Sequence, residues 1–388
     1  MEKYIAKTFK GLEGVLKNEL VALGAQNVEE ANRAVLFETD KEGLYKINLW
    51  VRTALSILKP LVSFRAFNDK TLYDKAKEVK WNEIMTIKNS FAVESMVFSK
   101  HFTHTQYVAL KVKDAIADYF REDSGLRPSV NVSNPEIRVH LHIADENCTL
   151  LLDSSGEALF KRGYRNVFNK APLNEVLAAG LIALSGWDKK SDFYDFMCGS
   201  GTIPIEAAMM ALQIAPNILR RNFGFHFWHD FDEALWRKVR AEALEKQIKQ
   251  EDVTFEISGS DVDNEAIDYA FANARNLQLH KFVKFFVSDF KSLKKENSPK
   301  FLIINPPYGE RLQSDNIEEL YAEIGTKLKH DFEGSTACIF SSNFEALKKI
   351  GLKPLFKIPL LNGALDCKLQ KYELFRGKRS EKFENKNL

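Results

Sequence analysis

Hydrophobic positions in the first 64 residues alternate between strand-like and helix-like spacing. Leucines and valines within residues 12–23 and 44–54 recur three and four positions apart, as on one face of a helix. Shorter hydrophobic runs typical of strands lie near residues 4–8, 28, 34–38 and 56–64. The resulting order, β-α-β-β-α-β, is that of a ferredoxin-like unit. We therefore predict a small α+β domain over residues 1–64.

Residues 65–160 also combine helix-like and strand-like spacing of hydrophobic residues. Helix-like patterns cover residues 69–85 and 106–123, and strand-like runs cover 91–98 and 137–152. The last run begins with hydrophobic residues at alternate positions 137, 139, 141 and 143. Small polar residues at positions 154–156 then mark a boundary. This stretch predicts a second α/β module.

From about residue 161 the pattern becomes a regular alternation of buried strands and amphipathic helices. A long apolar helix is predicted over residues 172–185. Candidate strands follow at 193–196, 255–260, 283–287, 301–304, 337–341 and 369–375, with helices between most of them. Such alternation is typical of a doubly wound, mostly parallel sheet, so we expect an α/β domain over residues 161–388.

Composition and charge exclude several classes of protein. Hydrophobic residues make up 45% and charged residues 28%, as in ordinary globular chains. The formal net charge is only +2, so any surface that binds nucleic acid must be local. No apolar run reaches the ~20 residues of a membrane-spanning helix, and we see no signal peptide. The four scattered cysteines include no CxxC pair, which favours a reducing cytoplasm over a disulfide framework or a cysteine zinc site.

The first segment with candidate chemistry runs from Asp195 through Cys198, Gly199 and Gly201, between a predicted strand and a predicted helix. Glycines there allow a sharp turn and a close approach of the backbone to a ligand. A carboxylate beside them would repel the pyrophosphate of a dinucleotide. It suits a ligand with an ammonium group and an unphosphorylated ribose, which describes S-adenosylmethionine. A tight turn without any ligand would produce the same pattern.

Two more acidic residues follow predicted strands. Asp261 could hold both hydroxyls of a ribose, although Asp263 competes for that role. Asp289 could reach the amino group of an adenine, or could belong to a simple turn. The interval from Asp195 to Asp261 is 66 residues, against the usual ~20. We infer an insertion at residues 214–252, whose aromatic and arginine residues either contact RNA or form a packed subdomain.

The segment Asn305-Pro306-Pro307-Tyr308 directly follows the strand predicted at 301–304. The exocyclic amine of a base is a weak nucleophile because its lone pair is delocalised into the ring. The Asn305 side-chain oxygen and the Pro306 carbonyl could accept both amine hydrogens, and Tyr308 could stack on a base turned out of its helix. Arg311 could then donate to guanine O6 or N7. A rigid proline turn is the structural alternative.

Two histidine pairs, His101/His104 and His226/His229, have a spacing that could serve zinc. No third histidine or cysteine lies near either pair in the sequence, so we expect no metal.

These segments together resemble the bacterial THUMP-domain methyltransferases that modify guanine N2 in RNA. The similarity covers nearly the whole chain and is closest to the first methyltransferase half of the large-subunit ribosomal RNA guanine-N2 enzyme. The stretches that carry it are residues 155–165, 171–179, 195–208 and 305–312. Because the larger relatives continue into a second methyltransferase, we expect that second activity to be absent here.

The resemblance implies a ferredoxin-like domain (1–64), an RNA-binding THUMP domain (65–160) and a Rossmann-like class I methyltransferase domain (161–388). It implies S-adenosylmethionine as cofactor and structured RNA, foremost 23S ribosomal RNA, as partner. By this similarity, the cofactor residues are Asp195, Cys198, Gly199, Gly201, Asp261 and Asp289. The residues that act on the target amine are Asn305, Pro306 and Tyr308.

Other functions remain open at this point. Adenine-N6 methylation of DNA or RNA, and guanine-N2 methylation of transfer RNA, would use the same Asn-Pro-Pro-Tyr loop, because each target is an exocyclic amine. The N-terminal 155 residues favour structured RNA over DNA. A non-catalytic RNA-binding protein would have no need of Asn305, and a nicotinamide dehydrogenase is disfavoured by Asp195 and by the absence of a GxGxxG motif.

Overall fold

The computed structural model describes residues 1–165, 172–295, 298–309 and 314–375. The helices are α1 (Glu13–Ala22), α2 (Lys41–Trp50), α3 (Asp69–Lys77), α4 (Thr105–Ser124), α5 (Glu175–Ser185), α6 (Thr202–Ala211), α7 (Glu233–Glu245), α8 (Asn264–Asn276), α9 (Ser314–Asp331) and α10 (Phe344–Lys349). The strands are β1 (Glu2–Lys7), β2 (Gln26–Ala31), β3 (Ala34–Thr39), β4 (Ser56–Arg65), β5 (Ser90–Phe98), β6 (Ser129–Val130), β7 (Ile137–Ala144), β8 (Asn147–Asp153), β9 (Phe193–Asp195), β10 (Ile257–Asp261), β11 (Val283–Val287), β12 (Phe301–Ile304), β13 (Thr336–Ser341), β14 (Phe356–Asn362) and β15 (Leu365–Glu373).

The first compact unit comprises residues 1–8, 16–159 and 220–242. Its eight strands form one sheet in the order β2-β3-β1-β4-β8-β7-β5-β6. The first four strands have the ferredoxin-like arrangement that the sequence predicts. Strand β4 pairs with β1 on one side and with β8 on the other, so it belongs to both predicted N-terminal modules. The register of β4 on β8 shifts between Pro60 and Val62, where proline has no N–H for the ladder.

Two local predictions in this unit are wrong. Residues 137–152 form a hairpin of β7 and β8 rather than a single strand, because Asp145 adopts a left-handed conformation (φ 52°) in the turn. The predicted helix 69–85 ends at Lys77. The Trp81 indole N–H donates to the Ala76 carbonyl at 2.9 Å and so takes up one carbonyl at that helix end.

The inserted aromatic residues pack within the first unit. Phe225 stacks on Tyr45 with ring centroids 4.4 Å apart, and Phe223 stacks on Phe225 at 5.1 Å. Arg220 donates to the backbone carbonyls of residues 155, 157 and 158. These rings are largely buried, so the structure supports the packed subdomain, the alternative in which they have no RNA contact of their own.

The second unit comprises residues 9–15, 160–219 and 243–388, as far as these are described. Its seven-stranded sheet has the order β11-β10-β9-β12-β13-β15-β14, parallel from β11 to β13 and closed by the antiparallel β14–β15 hairpin. This confirms the α/β class with a Rossmann-like domain. The sequence did not predict β14, whose short hydrophobic alternation includes Pro359.

Strand β9 is the central strand at which the chain changes direction, since β10 lies on one side of it and β12 on the other. In such sheets, ligands bind beyond the carboxyl ends of the strands at this switch point. All four residues of β12 are buried, which is expected for a strand covered on both faces. Aromatic and aliphatic side chains around Tyr194, Ile304 and Tyr321 form a continuous core beneath the strand ends.

Candidate active site

The carboxyl ends of four parallel strands bring the candidate residues together. Asp195 ends β9, Asp261 ends β10, Asp289 follows β11 and Asn305 directly follows β12. All four line one cleft of about 910 Å³, together with Cys198 and Gly199. Of the other candidates, Gly201, Pro306 and Tyr308 lie beside this cleft rather than on its wall.

The glycine turn after β9 is shaped by its backbone geometry. Gly199 has a φ of +52°, and the position of a Cβ on it is open space. Gly201 has a φ of +79° at the start of α6, and a Cβ there would lie 2.9 Å from both Ala270 and Phe285. The Cys198 backbone N–H donates to the Ser260 carbonyl at 3.0 Å, which ties the turn to β10. The turn therefore requires glycine and leaves space for a ligand above Gly199.

Asp195 is a buried carboxylate, with 1% of its surface exposed. Its Oδ1 accepts a hydrogen bond from the Met197 N–H at 3.0 Å. Burial raises the pKa of Asp195 well above its usual value, and the nearby charge of Asp261 adds to this. A positively charged ligand group would relieve both effects.

Hydrogen bonds distinguish the two acidic residues that compete at the end of β10. Asp261 accepts from the Gly199 N–H at 2.9 Å and from the Asp263 N–H at 3.1 Å, so it connects two loops of the cleft. Asp263 caps α8 by accepting from the Glu265 N–H at 2.9 Å. This is a structural use of Asp263, and it favours Asp261 for the ligand.

Asp289 also makes a local contact, because its Oδ1 accepts from the Lys291 N–H at 3.0 Å. At the other end of the cleft, the Tyr308 hydroxyl donates to Asn305 Oδ1. Burial raises the pKa of Tyr308, so its hydroxyl is protonated and a donor at neutral pH. Asn305 Oδ1, the oxygen that the sequence analysis assigns to the incoming amine, thus already accepts a hydrogen bond from Tyr308 in the same loop.

Sequence patterns did not single out several residues that line the cleft. Val262 is 70% exposed although it is hydrophobic, and Phe290 and Tyr269 also border the cleft. Val262 and Phe290 each follow a strand-end acid directly, and that position was the signal available in the sequence. Arg311, and Ala171 at the start of one resembling stretch, lie outside the described residues.

Among the described lining residues, five are acidic (Asp195, Asp261, Asp263, Glu265 and Asp289) and Lys291 is the one cation. Lys291 pairs with Glu323 at 2.7 Å. Such a wall disfavours a pyrophosphate and suits a ligand with cationic groups and a ribose. The cleft chemistry therefore fits S-adenosylmethionine, which carries an ammonium and a sulfonium group but no phosphate.

The two histidine pairs are not part of this cleft. Burial lowers the pKa of His226 to about 4, and its Nδ1 accepts from the Phe223 N–H at 3.1 Å. Across the described ranges there is no group of three or more potential metal ligands. None of the helices within those ranges has the length and hydropathy to cross a bilayer.

Three family models match the chain. The RMKL-like methyltransferase domain matches residues 162–371, the THUMP domain matches 67–153, and the RlmL ferredoxin-like domain matches 3–58.

Individual proteins are similar over almost the full length. A protein of Synechocystis sp. (strain ATCC 27184 / PCC 6803 / Kazusa), provisionally named the RNA methyltransferase slr0064, is 37% identical over 96% of this chain and 97% of its own. The crystal structure of SMU.472, provisionally described as a methyltransferase and solved with SAH, has a TM-score of 0.88 at 31% identity, covering 97% of this chain and 99% of that one. A Listeria monocytogenes str. 4b F2365 structure described as a predicted N6-adenine-specific DNA methylase has a TM-score of 0.85 at 28% identity, with 96% of each chain covered.

The acidic cleft at the switch point, the three domain matches and the similarity to an SAH-bound structure agree with one another. The chain belongs to the THUMP-containing, RMKL-like class I methyltransferases, and its cofactor is S-adenosylmethionine.

Proposed function

We propose that this methyltransferase acts on RNA, transferring a methyl group to the exocyclic N2 of a guanine, with 23S ribosomal RNA as its substrate. The observation that carries the proposal is the position of Asn305 on the wall of the cofactor cleft, directly after β12. The THUMP match and the name of the Synechocystis relative support RNA as the partner. The division at residues 64/65 and 160/161, and a cytoplasmic location, are part of this proposal.

Within the cleft, we assign each residue a contact by its chemistry. Asp195 would pair with the ammonium group of the cofactor, and Gly199 would leave room for its methionine part. Gly201 would support that turn from behind, because its missing side chain lets α6 pack against Ala270 and Phe285. The two Asp261 oxygens, which each accept one backbone N–H, would use their remaining lone pairs to accept from the ribose hydroxyls, and Asp289 would accept from the adenine amino group. Cys198 lies on the turn between Asp195 and Gly199, and it would line the cofactor site beside them.

Bound S-adenosylmethionine supplies an electrophilic methyl group on a positively charged sulfur. Asn305 Oδ1 and the Pro306 carbonyl would accept the two hydrogens of the target amine, which localises its lone pair and orients it. In the transfer, the amine nitrogen would bond to the methyl carbon while the carbon–sulfur bond breaks and leaves its electron pair on sulfur, and the amine would then release a proton to water. No strong general base is required for this sequence.

Tyr308 would keep its bond to Asn305 while a base binds. Its hydroxyl donates to Asn305 Oδ1 in the structure, which holds the side-chain amide in one orientation. A base stacked on the Tyr308 ring would present its amine to the same oxygen, whose second lone pair can accept it.

The decisive experiment is nucleoside analysis of RNA from a strain that lacks the gene. RNA from that strain, treated with the purified protein and S-adenosylmethionine, should gain N2-methylguanosine, and mapping should place it in 23S ribosomal RNA. Gain of N6-methyladenosine instead, in RNA or in DNA, would overturn the proposal. The similarity to the Listeria protein makes that the second candidate function. A gain in transfer RNA would overturn the ribosomal part alone.

Asn305→Ala provides the matched test of the chemistry. Since Asn305 acts on the nucleophile, its interaction is realised mainly in the transition state. We expect turnover to fall by at least about 100-fold, comparable to the loss of one transition-state hydrogen-bonding group, with the affinity for S-adenosylhomocysteine near wild type by calorimetry. Normal turnover in this variant would refute the assigned role.

A further inference from the structure

The Asn-Pro-Pro-Tyr loop has few ways to be held in place by its own backbone. Pro306 and Pro307 have no N–H groups, so these two residues offer their neighbours carbonyl acceptors and no backbone donors. A fixed loop conformation therefore requires donors from elsewhere in the fold. Two side chains of neighbouring elements supply them.

Tyr321 on α9 is one donor. Its hydroxyl donates to the Pro307 carbonyl at 3.2 Å, and its side chain is fully buried. Burial raises the pKa of Tyr321 to about 12, so the hydroxyl keeps its proton at neutral pH. The same hydroxyl lies 2.6 Å from the buried Ser341 Oγ at the end of β13.

Asn343, the N-cap of α10, is the other donor. Its Nδ2 donates to the Tyr308 carbonyl at 3.2 Å, while its Oδ1 accepts from the Ala346 N–H at 2.9 Å. Its backbone N–H donates to Ser341 Oγ at 3.0 Å. With that bond made, Ser341 can donate to Tyr321, and Tyr321 to Pro307. The bonds then run in one direction toward the loop, an arrangement in which each strengthens the next.

Gly309 completes the arrangement. Its φ of +105° disfavours a side chain, and a Cβ there would lie 3.4 Å from Ile317 and 3.8 Å from Asn343 Nδ2. The loop thus passes close to the amide that holds it.

We propose that Tyr321, Ser341 and Asn343 form a loop clamp that positions Asn305 and Tyr308 for methyl transfer without contacting cofactor or substrate. This rests on the proposed role of the Asn305–Tyr308 loop. The clamp acts through the Pro307 and Tyr308 carbonyls. It should therefore control the rate of the chemical step rather than the affinity for S-adenosylmethionine, since a small misplacement of reacting groups is costly.

Asn343→Asp separates the clamp from the helix cap. Aspartate can still accept from the Ala346 N–H and suits a helix N-terminus, but it replaces the donor to the Tyr308 carbonyl with an oxygen. We expect kcat to fall by about 10- to 100-fold, with the KM for S-adenosylmethionine and the melting temperature near wild type. Asn68→Asp is the matched control, because Asn68 caps α3 by accepting from the Thr71 N–H at 2.9 Å. It should leave kcat unchanged.

Tyr321→Phe removes the second donor while keeping the buried ring, and it should also lower kcat selectively. Normal kcat in both Asn343→Asp and Tyr321→Phe overturns the clamp. If the wild-type protein methylates adenine instead of guanine, the proposed function fails while the clamp is tested unchanged on that product.

If the wild-type protein methylates none of the RNA or DNA substrates supplied to it, hydrogen exchange of the full-length protein tests the clamp instead. Peptides that cover residues 305–309 should exchange faster in Asn343→Asp than in wild type or Asn68→Asp. Equal exchange in all three proteins would then overturn the clamp.

Discussion

At the scale of single residues, the acidic side chains of the cleft differ in what they are already bonded to. Asp263 uses an oxygen to cap α8, whereas Asp261 connects the Gly199 turn to its own loop. Their sequence context is nearly the same, since Asp261 ends β10 and Asp263 lies two positions later. Only the direction of each side chain separates the acid that caps a helix from the acid that bonds to the Gly199 turn.

Asp195 should make the cofactor-free protein sensitive to pH. Burial raises its pKa, so the folded state binds this proton more tightly than the unfolded state does. The unfavourable contribution to stability therefore begins near the unfolded pKa of about 4 and grows as pH rises toward the folded pKa. Asp195→Asn cannot titrate. We expect the melting temperature of the variant, relative to wild type without cofactor, to be higher at pH 8 than at pH 4.

The same substitution should weaken S-adenosylmethionine binding, because the ammonium group would lose the charged partner that we propose for it. Scanning calorimetry from pH 4 to 8 and a binding titration at pH 7.5 would measure the two effects. If the melting-temperature difference between variant and wild type does not change with pH, Asp195 is not the group that makes stability depend on pH.

At the scale of elements, helices α9 and α10 approach each other closely at one glycine. A Cβ on Gly325 of α9 would lie 1.9 Å from the Ile350 carbonyl oxygen just after α10. These two helices carry Tyr321 and the cap residue Asn343, so their separation sets the geometry of the loop clamp.

Gly325→Ala should therefore destabilise the protein, although alanine is the better helix former. We expect a loss of roughly 1–3 kcal/mol, the usual penalty of overpacking, in chemical denaturation. Thr326→Ala, at the next and exposed position, is the control and should be neutral within about 0.5 kcal/mol. Equal stability of Gly325→Ala and wild type would mean that the two helices can separate without cost.

Periodicity predicted most elements, but it missed β14 and misplaced the ends of elements that depend on a single contact or turn. The strands of the second unit were recognised because they are short, hydrophobic and followed by helices. The break in the first THUMP helix depends on the Trp81 indole, and the β7–β8 hairpin depends on Asp145 accepting a left-handed conformation. Neither feature alters the hydrophobic pattern from which the elements were predicted.

At the scale of the whole molecule, residues 220–242 lie within the methyltransferase part of the sequence but do not belong to the second unit. They pack in the first unit, where Phe225 stacks on Tyr45. Removal of the N-terminal residues would expose this aromatic surface. Point substitutions are therefore the sounder way to ask whether the N-terminal unit binds RNA.

Four basic residues on or just after α4, Lys111, Lys113, Arg121 and Arg127, are the sequence's candidates for contacting RNA phosphates, and they do not form a single patch. Lys111 and Lys113 are two positions apart, which places them on different sides of a helix. Lys113 pairs with Asp114 at 2.6 Å and Arg121 with Asp118 at 2.8 Å, whereas Arg127 is exposed beyond the helix end.

If this helix contacts RNA phosphates, Lys111→Ala and Arg127→Ala should each weaken RNA binding and reduce its salt dependence by about one unit of slope. Fluorescence anisotropy titrations with structured ribosomal RNA would measure these slopes. The salt concentration should range from roughly 50 to 200 mM, where such effects are large. Asp114→Asn removes the acidic partner of Lys113, so it should strengthen RNA binding and increase its salt dependence. Unchanged slopes in all three variants would place the RNA elsewhere.

The sequence by itself determined the α/β class, the ferredoxin-like order and the acidic residues at the strand ends. Those features follow from local periodicity and from residue types at fixed places after a strand. Only the tertiary structure decided that Asp261 bonds to the Gly199 turn while Asp263 caps α8, that residues 220–242 join the first unit, and that Tyr321 and Asn343 bond to the loop of Asn305. The physical reason is that hydrogen bonds and ring contacts between distant residues depend on side-chain direction and strand order, which hydrophobic spacing does not encode.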